Sequence, residues 1–316
     1  MPKLRVGMCT GATPKLLQTL EELGICSVTD YISSNLEKIS SERSLPYKDL
    51  LSIRRVLLAQ YSAFPVTGAD VYTHLLSSVS ILSTGSQVLD QLLDGGIYTG
   101  ELTEVVGDIS AGKTQLCFTV AAVVAMETNK SVLFIDTCGS FTAERLEEVL
   151  EERGCKDIPA SLNCICCEQK LDIFSLLEML EETRSNLARK SDDFHTSLKL
   201  IVVDSVTRVI SPVLGGQQSD GHALMCQIGL KLRLISSEFS CAVLVTNNLL
   251  GADFGAVNIA LGRTWLHSPH TRVVLQRQEK TTANTRRARL AKSSRLAISK
   301  GSVVIQLTPR GVDDVT

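Results

Sequence analysis

The sequence predicts an α/β fold, a mostly parallel central sheet covered by helices, with a small all-helical domain ahead of it. Three observations carry this expectation. Helical periodicity fills the first 64 residues, apolar strand-like runs alternate with helical stretches from Leu102 to Glu238, and Gly107-Asp-Ile-Ser-Ala-Gly-Lys-Thr114 stands between the first of those runs and the helix after it.

In the N-terminal segment, Thr13-Pro14 reads as an N-cap and first turn, and Gly24 as a stop with Ile25 placed for the usual hydrophobic contact. From Tyr47 to about Phe64, Leu50, Ile53, Leu57 and Tyr61 recur at helical spacing. Residues 1–64 are therefore expected to be a helical domain. Pro65, Gly68 and the Ser-rich stretch from Ser77 to Ser86 read as a linker over 65–80, leaving 81–316 as the core.

Strands are expected at Leu102–Val106, Val132–Asp136, Leu162–Cys167, Leu200–Asp204 and Ala242–Thr246. Helices are expected between them at Lys113–Glu127, Ala143–Arg153, Ile173–Ala188 and Ala223–Glu238. Continuous apolar strands separated by helices mean a parallel sheet buried on both faces. After Arg272 the runs shorten to Val273–Gln276, Arg289–Ala291 and Val303–Leu307, the pattern of an antiparallel extension.

The segment Gly107 to Thr114 fits G-x-x-x-x-G-K-[ST] in full and sits where its mechanism requires, after a strand and opening a helix. Its glycines let backbone N–H groups curl round phosphates, and the helix N-terminus adds positive potential. Nucleotide contacts are assigned to Gly107, Asp108, Ile109, Ser110, Ala111, Gly112, Lys113, Thr114 and Gln115, with ATP and Mg²⁺ as the cofactors. Lys113 would reach the β and γ phosphates, and the Thr114 hydroxyl would hold Mg²⁺. The second metal-holding group should end a neighbouring apolar strand, and Leu200-Ile-Val-Val-Asp204 supplies Asp204.

Composition narrows the rest. Hydrophobic residues at 44% and charged residues at 21% fit a globular chain and exclude a disordered one. A net charge of −2 gives no global attraction to nucleic acid, so any DNA contact needs a local patch. The longest apolar run, Leu116 to Met126, is short of the roughly 20 residues that span a bilayer, and Met1-Pro2-Lys3 opens no leader pattern, so an intracellular protein is expected. The ten cysteines are scattered apart from Cys164, Cys166 and Cys167, which lack the companion ligands of a zinc site. Glu147, Glu148, Glu151 and Glu152 read as a solvated helix face. Arg277, Lys280, Arg286, Arg287, Arg289, Lys292, Arg295 and Lys300 face only Glu279 over residues 277–300, a local excess that is either a phosphate-attracting patch or a solvated hairpin.

Several segments line up in order with the RecA/RadA-type recombinases. They are Ser83-Thr-Gly-Ser86, Leu89-Asp90 and Gly95-Gly96 before the phosphate loop, Phe134-Ile-Asp136 and Glu144-Arg-Leu146 after it, and Val245-Thr-Asn247 later. The resemblance covers about residues 80–310, with a helix-hairpin-helix-like domain before it. Leu57-Leu-Ala-Gln60, Ser62-Ala-Phe-Pro65, Leu214-Gly-Gly-Gln-Gln218 and Leu290-Ala-Lys-Ser-Ser-Arg295 resemble more specifically the D-type group among the eukaryotic Rad recombinase paralogues.

The resemblance implies a RecA-like P-loop ATPase core and a nuclear factor of homologous-recombination DNA repair. It implies a complex with other recombinase paralogues, joined through the N-terminal domain, linker and core, and contact with single-stranded or branched DNA. It also implies that Arg145 lies near the adenine and that two loops, about Ile210–Gly221 and Leu249–Gly262, face DNA. Neither loop is rich in charge, and Phe254 is the only aromatic residue of the second, so DNA binding by this chain alone is expected to be weak.

The departures from the family pattern point one way. Where active recombinases carry a water-activating glutamate two residues after the strand-end aspartate, this chain has Cys138. Loss of a general base costs about 10²–10⁴ in rate, and Ser205 after Asp204 supplies no substitute. Asn248 replaces the glutamine that senses the γ-phosphate. The aromatic-x-x-Ala hook that joins subunits falls on Val66-Thr-Gly-Ala69, whose smaller first residue should weaken self-polymerisation. Slow, DNA-stimulated hydrolysis within a heteromeric complex is the expected activity. An autonomous DNA-dependent ATPase motor and a P-loop small-molecule kinase are the alternatives.

Overall fold

The computed structural model describes residues 4–9, 11–61, 65–215, 220–253, 256–278, 284–298 and 301–315. Met1 to Lys3, Ser62 to Phe64, Gly216 to Gln218, Phe254, Glu279, Lys280 and Lys300, which carry parts of the expectations above, lie outside the described residues. The chain divides into two compact units, Met1–His74 and Leu75–Thr316.

The first unit holds α1 (Pro14–Glu22), α2 (Val28–Ser33), α3 (Leu36–Arg43) and α4 (Tyr47–Tyr61). The Thr13 hydroxyl accepts from the Leu16 N–H at 3.3 Å, and Gly24, at φ 74°, ends the helix while Ile25 N–H returns to the Leu20 carbonyl. Two of these helices were not anticipated. α2 is short but opens on a reciprocal capping box between Ser27 and Asp30, and Asn35 caps α3. Leu20, Val28, Tyr31, Leu36, Ile39, Leu50, Ile53 and Leu57 form the core, and the Tyr31 hydroxyl donates to the Leu50 carbonyl at 2.9 Å. Tyr61, placed on the buried stripe by spacing, is exposed.

The stretch read as a linker contains an eleven-residue helix, α5 (Gly68–Ser78), started by Thr67 and Asp70 bonded to each other. Its apolar residues Val71, Tyr72, Leu75 and Leu76 follow helical spacing yet are all exposed, so a reading that looks for a buried face passes over them.

After the end of α5 the second unit continues with a two-stranded ribbon, β1 (Ile81–Leu82) and β2 (Ile97–Tyr98), around α6 (Gln87–Leu93). There follow β3 (Leu102–Gly107), α7 (Lys113–Thr128), β4 (Ser131–Asp136), α8 (Ala143–Glu152), α9 (Ile158–Asn163), β5 (Ile165–Gln169) and α10 (Ile173–Arg189). After α11 (Asp193–Ser197) come β6 (Leu198–Asp204), α12 (Val206–Ile210), α13 (Asp220–Phe239), β7 (Ala242–Asp253), β8 (Ala256–Ile259) and α14 (Gly262–Trp265). The chain ends in β9 (Thr271–Arg277), β10 (Thr285–Lys292), β11 (Ser302–Thr308) and β12 (Gly311–Asp314).

These strands form one sheet in the order β12-β11-β10-β9-β3-β7-β6-β4-β5, with β8 paired to β7. From β9 to β5 neighbouring strands are parallel, and β9 through β12 are antiparallel, as their shorter runs led one to expect. Both faces of the parallel part are covered, one by the layer containing Phe118, Phe134 and Leu146, the other by the layer containing Leu176, Leu232 and Trp265. α7 is buried at every residue from Leu116 to Ala125, so it is a core helix and shows no polar face.

Three sequence boundaries need correction. The strand expected at Leu162 starts at Ile165, because Pro159 and the Asp157 cap first make a short helix there. The second loop is largely a hairpin, since β7 runs on to Asp253 and β8 pairs back on it. β10 is longer than the expected Arg289–Ala291, because antiparallel partners on both sides continue it. The terminal strand is fixed by polar bonds: Asp314 accepts from the Ser86 hydroxyl and from the N–H groups of Gln87 and Val88, capping α6 across 228 residues.

Candidate nucleotide site

The phosphate loop leaves the carboxyl end of β3 and enters α7, the position at which open α/β sheets bind ligands. Two of its positions accept only glycine. A Cβ on Gly107 would lie 2.7 Å from the Leu275 carbonyl oxygen, and Gly112 has φ 98°. Ile109 stands exposed at the tip of the loop, with Asp108 and Ser110 beside it. Ser110, Ala111, Gly112, Lys113, Thr114 and Gln115 line a cleft of about 330 Å³ together with Arg286 and Leu307.

The Lys113 ammonium donates to the carbonyls of Gly107 at 2.8 Å and Asp108 at 2.9 Å, which holds it over the loop. Burial pushes its pKa below the usual lysine value, and the carboxylate of Asp204, followed by that of Asp108, opposes the shift. Lys113 is thus a cation whose charge is poorly compensated by water, a state that an anionic ligand relieves.

The Thr114 hydroxyl donates to Asp204 Oδ2 at 2.6 Å. Asp204, almost fully buried at the end of β6, takes a further hydrogen bond on its other oxygen from Thr246 of β7, the strand that lies between β6 and β3. In the sequence Thr246 marks only the end of an expected strand and part of a family segment, with no role at the site attached to it. A hydroxyl and a carboxylate converging beside a phosphate loop are hard oxygen donors, the set that suits Mg²⁺ carrying its own waters and substrate phosphates.

Asp136, the strand-end carboxylate before Cys138, is already engaged. Its Oδ1 accepts from the N–H groups of Cys138 and Gly139, both at 2.9 Å, and its Oδ2 from Phe141 N–H at 3.0 Å. It shapes the loop that presents Cys138, with three of its acceptor sites taken by that loop's backbone. The Cys138 side chain is exposed, with the Thr137 and Ser205 hydroxyls 3.8 and 4.0 Å from its sulfur. No carboxylate belongs to that trio.

Arg145, expected near the adenine, is held one residue beyond the loop. Its Nε donates to Gln115 Oε1 at 2.9 Å, its Nη1 to Glu148 at 2.6 Å and to the Pro309 carbonyl, and its Nη2 to the Thr308 carbonyl. Glu148, read as part of a solvated face, therefore also orients this arginine.

Behind the loop lies a buried polar node. Glu104 of β3, with no exposed surface, accepts from Asn247 Nδ2 at 2.7 Å, from Trp265 Nε1 at 2.6 Å and from Arg272. Asn247 in turn accepts from the Thr207 hydroxyl at 2.5 Å, and Asn248 N–H donates to that same hydroxyl at 3.2 Å. One carboxylate thus ties the phosphate-loop strand to the residues from which the two expected DNA-facing loops depart.

The basic stretch divides by strand face. Arg287 is exposed and Arg289 partly so, Lys292 donates to the Leu266 carbonyl at 2.8 Å, and Arg295 bonds Glu101 and stacks 3.4 Å over the Tyr98 ring. Arg277, Arg286, Arg287, Arg289 and Lys292 lie on strands of the sheet, whereas a kinase lid would be a separate mobile segment.

A phosphate loop on a central parallel strand, a buried carboxylate two strands away and an antiparallel C-terminal extension together define a RecA-like P-loop domain. The chain matches the Rad51 family over residues 76–315 and the RAD51D N-terminal domain over residues 1–60, and it belongs to the Rad51 family. It is 44% identical over 278 residues to the DNA repair protein RAD51 homolog 4 of Bos taurus, covering 87% of this chain and 85% of that one. The probable DNA repair protein RAD51 homolog 4 of Dictyostelium discoideum is 28% identical, over 84% of this chain and 86% of that one. The DNA repair and recombination protein RadA of Metallosphaera sedula is 27% identical, over 96% and 94%.

Proposed function

We propose that this chain is an ATP-holding recombinase paralogue that acts in homologous-recombination repair of DNA double-strand breaks, as a subunit of a heteromeric paralogue complex bound to single-stranded or branched DNA. The observation that carries the reading is the pairing of Thr114 with Asp204 beside an intact phosphate loop, with a thiol and two hydroxyls where a water-activating carboxylate is expected. Gly107 to Thr114 bind the phosphates, Lys113 neutralises them, and Gln115 and Arg145 frame the base. Thr114 and Asp204 would hold Mg²⁺, which when bound screens phosphate charge. Asp136 is committed to its loop and Cys138 is a poor base, so nucleotide is retained far longer than it is turned over.

Assembly with other paralogues is supported by Val66, Val71, Tyr72, Leu75 and Leu76, exposed apolar side chains on and just before α5 that a partner subunit would cover. Among the described residues no helix is long and apolar enough to cross a membrane, and the family relationship favours a nuclear location. The test is co-purification from cells of the parent chain and its Lys113→Ala variant. Loss of bound partners and of DNA retention, about tenfold or more, is expected from the variant. Full retention of partners would show that ATP does not hold the complex together.

A further inference from the structure

We infer that Arg286 is a phosphate-binding residue of the nucleotide site, supplied by the C-terminal antiparallel extension of the same chain; this rests on the nucleotide reading above. The topology brings it there. β9 runs parallel to β3 with Leu275 opposite Gly107, so the end of β9 lies at the phosphate loop. β10 returns antiparallel from that same end, and its first residues, Thr285 and Arg286, begin beside the loop. β11 contributes Leu307, which packs against Gly112 so closely that a Cβ there would lie 3.1 Å from it.

Arg286 alternates inward with Ala288 and Leu290, both of which lie in the core layer with Leu275 and Ile305, whereas Arg287 is exposed. The side chain is 7% exposed. Its Nη1 donates to the Thr285 carbonyl at 2.9 Å and its Nη2 to the carbonyl of Ser110 in the phosphate loop at 3.3 Å. Arg286 therefore lines the same cleft as Lys113 and Thr114. Its register partner on β9 is Arg277. Burial first, and then the charge of Arg277, push the Arg286 pKa down. Two guanidiniums paired across adjacent strands add positive potential beside the phosphate loop. A guanidinium's planar fork of donors suits phosphate oxygens in two-point contact.

The extension thereby completes the cradle: the loop's backbone and Lys113 hold the phosphates, and Arg286 adds a contact from a second part of the chain. The site would then depend on residues more than 170 positions from the phosphate-loop motif, and damage to the extension would act as nucleotide-site damage.

Binding of a ribose-labelled fluorescent ATP to the full chain, and its displacement by inorganic tripolyphosphate, tests this in the parent, Arg286→Gln, Arg286→Lys and Lys113→Ala proteins, with a nucleotide-free thermal melt of each. The Gln variant is expected to bind both ATP and tripolyphosphate about 10–100-fold more weakly, with the Lys variant between it and the parent and the melts unchanged. Because tripolyphosphate has no base, a parallel loss identifies a phosphate contact. Binding of ATP by the Gln variant within about twofold of the parent, while Lys113→Ala loses it, overturns the role of Arg286 and leaves the nucleotide reading intact. So does loss of ATP binding without loss of tripolyphosphate binding. If the parent binds neither ligand, the nucleotide reading itself fails.

Discussion

Replacing Cys138 by glutamate is expected to raise ATP hydrolysis by about 10²–10⁴-fold, the usual worth of a positioned general base. The geometry favours the gain. Cys138 is an exposed residue of a loop whose backbone is pinned by Asp136, so a longer side chain there displaces no packed neighbour. The hydroxyls of Thr137 and Ser205, 3.8 and 4.0 Å from the Cys138 sulfur, would solvate a carboxylate there. Steady-state phosphate release with and without single-stranded DNA measures the effect. An unchanged rate would favour the alternative motor, in which a neighbouring subunit supplies the base.

The second large effect is on stability. Glu104→Ala leaves the Arg272 guanidinium buried without its carboxylate and removes the acceptor of both Asn247 and Trp265. Removing one member of a buried, hydrogen-bonded ion pair costs about 3–5 kcal/mol, a large share of the ordinary stability of a domain. A urea or thermal melt of the full chain reads it. Glu104→Gln, which keeps one oxygen to accept from Asn247 or Trp265, should lose less. Because the same node supports the strand that enters the phosphate loop and the start of the second loop, nucleotide affinity should fall in Glu104→Gln even where the fold survives.

The contrast between these two residues explains what could be read from the sequence. Gly107 to Thr114 were legible because a phosphate cradle is made of consecutive residues, and Asp204 because it ends an apolar run. The parallel sheet followed from alternating runs, and Cys138 and Asn248 stood out against the family pattern. Glu104 carried no such signal, and Thr246 and Arg286 stood out only as a strand end and as one of eight basic residues. Each acts through a partner far along the chain: Arg272 lies 168 residues from Glu104, and Ser110 lies 176 from Arg286. Register decides such meetings, and local composition does not encode register.

Elsewhere the signal was present and was outweighed. Ser27-Val-Thr-Asp30 is a capping box, yet α2 has only six residues, too few for periodicity to show. In the 65–80 stretch, Pro65, Gly68 and the serines spoke for a linker, although Val71, Tyr72, Leu75 and Leu76 already had helical spacing. Their exposure separates α5 from the other helices and accords with a surface kept for another subunit.

The central claim is that the site retains ATP and scarcely consumes it. The most direct measurement loads the full chain with γ-labelled ATP and Mg²⁺, removes free nucleotide, adds single-stranded DNA, and follows both released phosphate and protein-bound label. The account predicts that bound label persists as ATP, with cleavage about 10²-fold or more slower than in the Cys138→Glu protein. Cleavage of the bound ATP as fast in the parent as in that variant, with filaments formed by the parent alone, would contradict it.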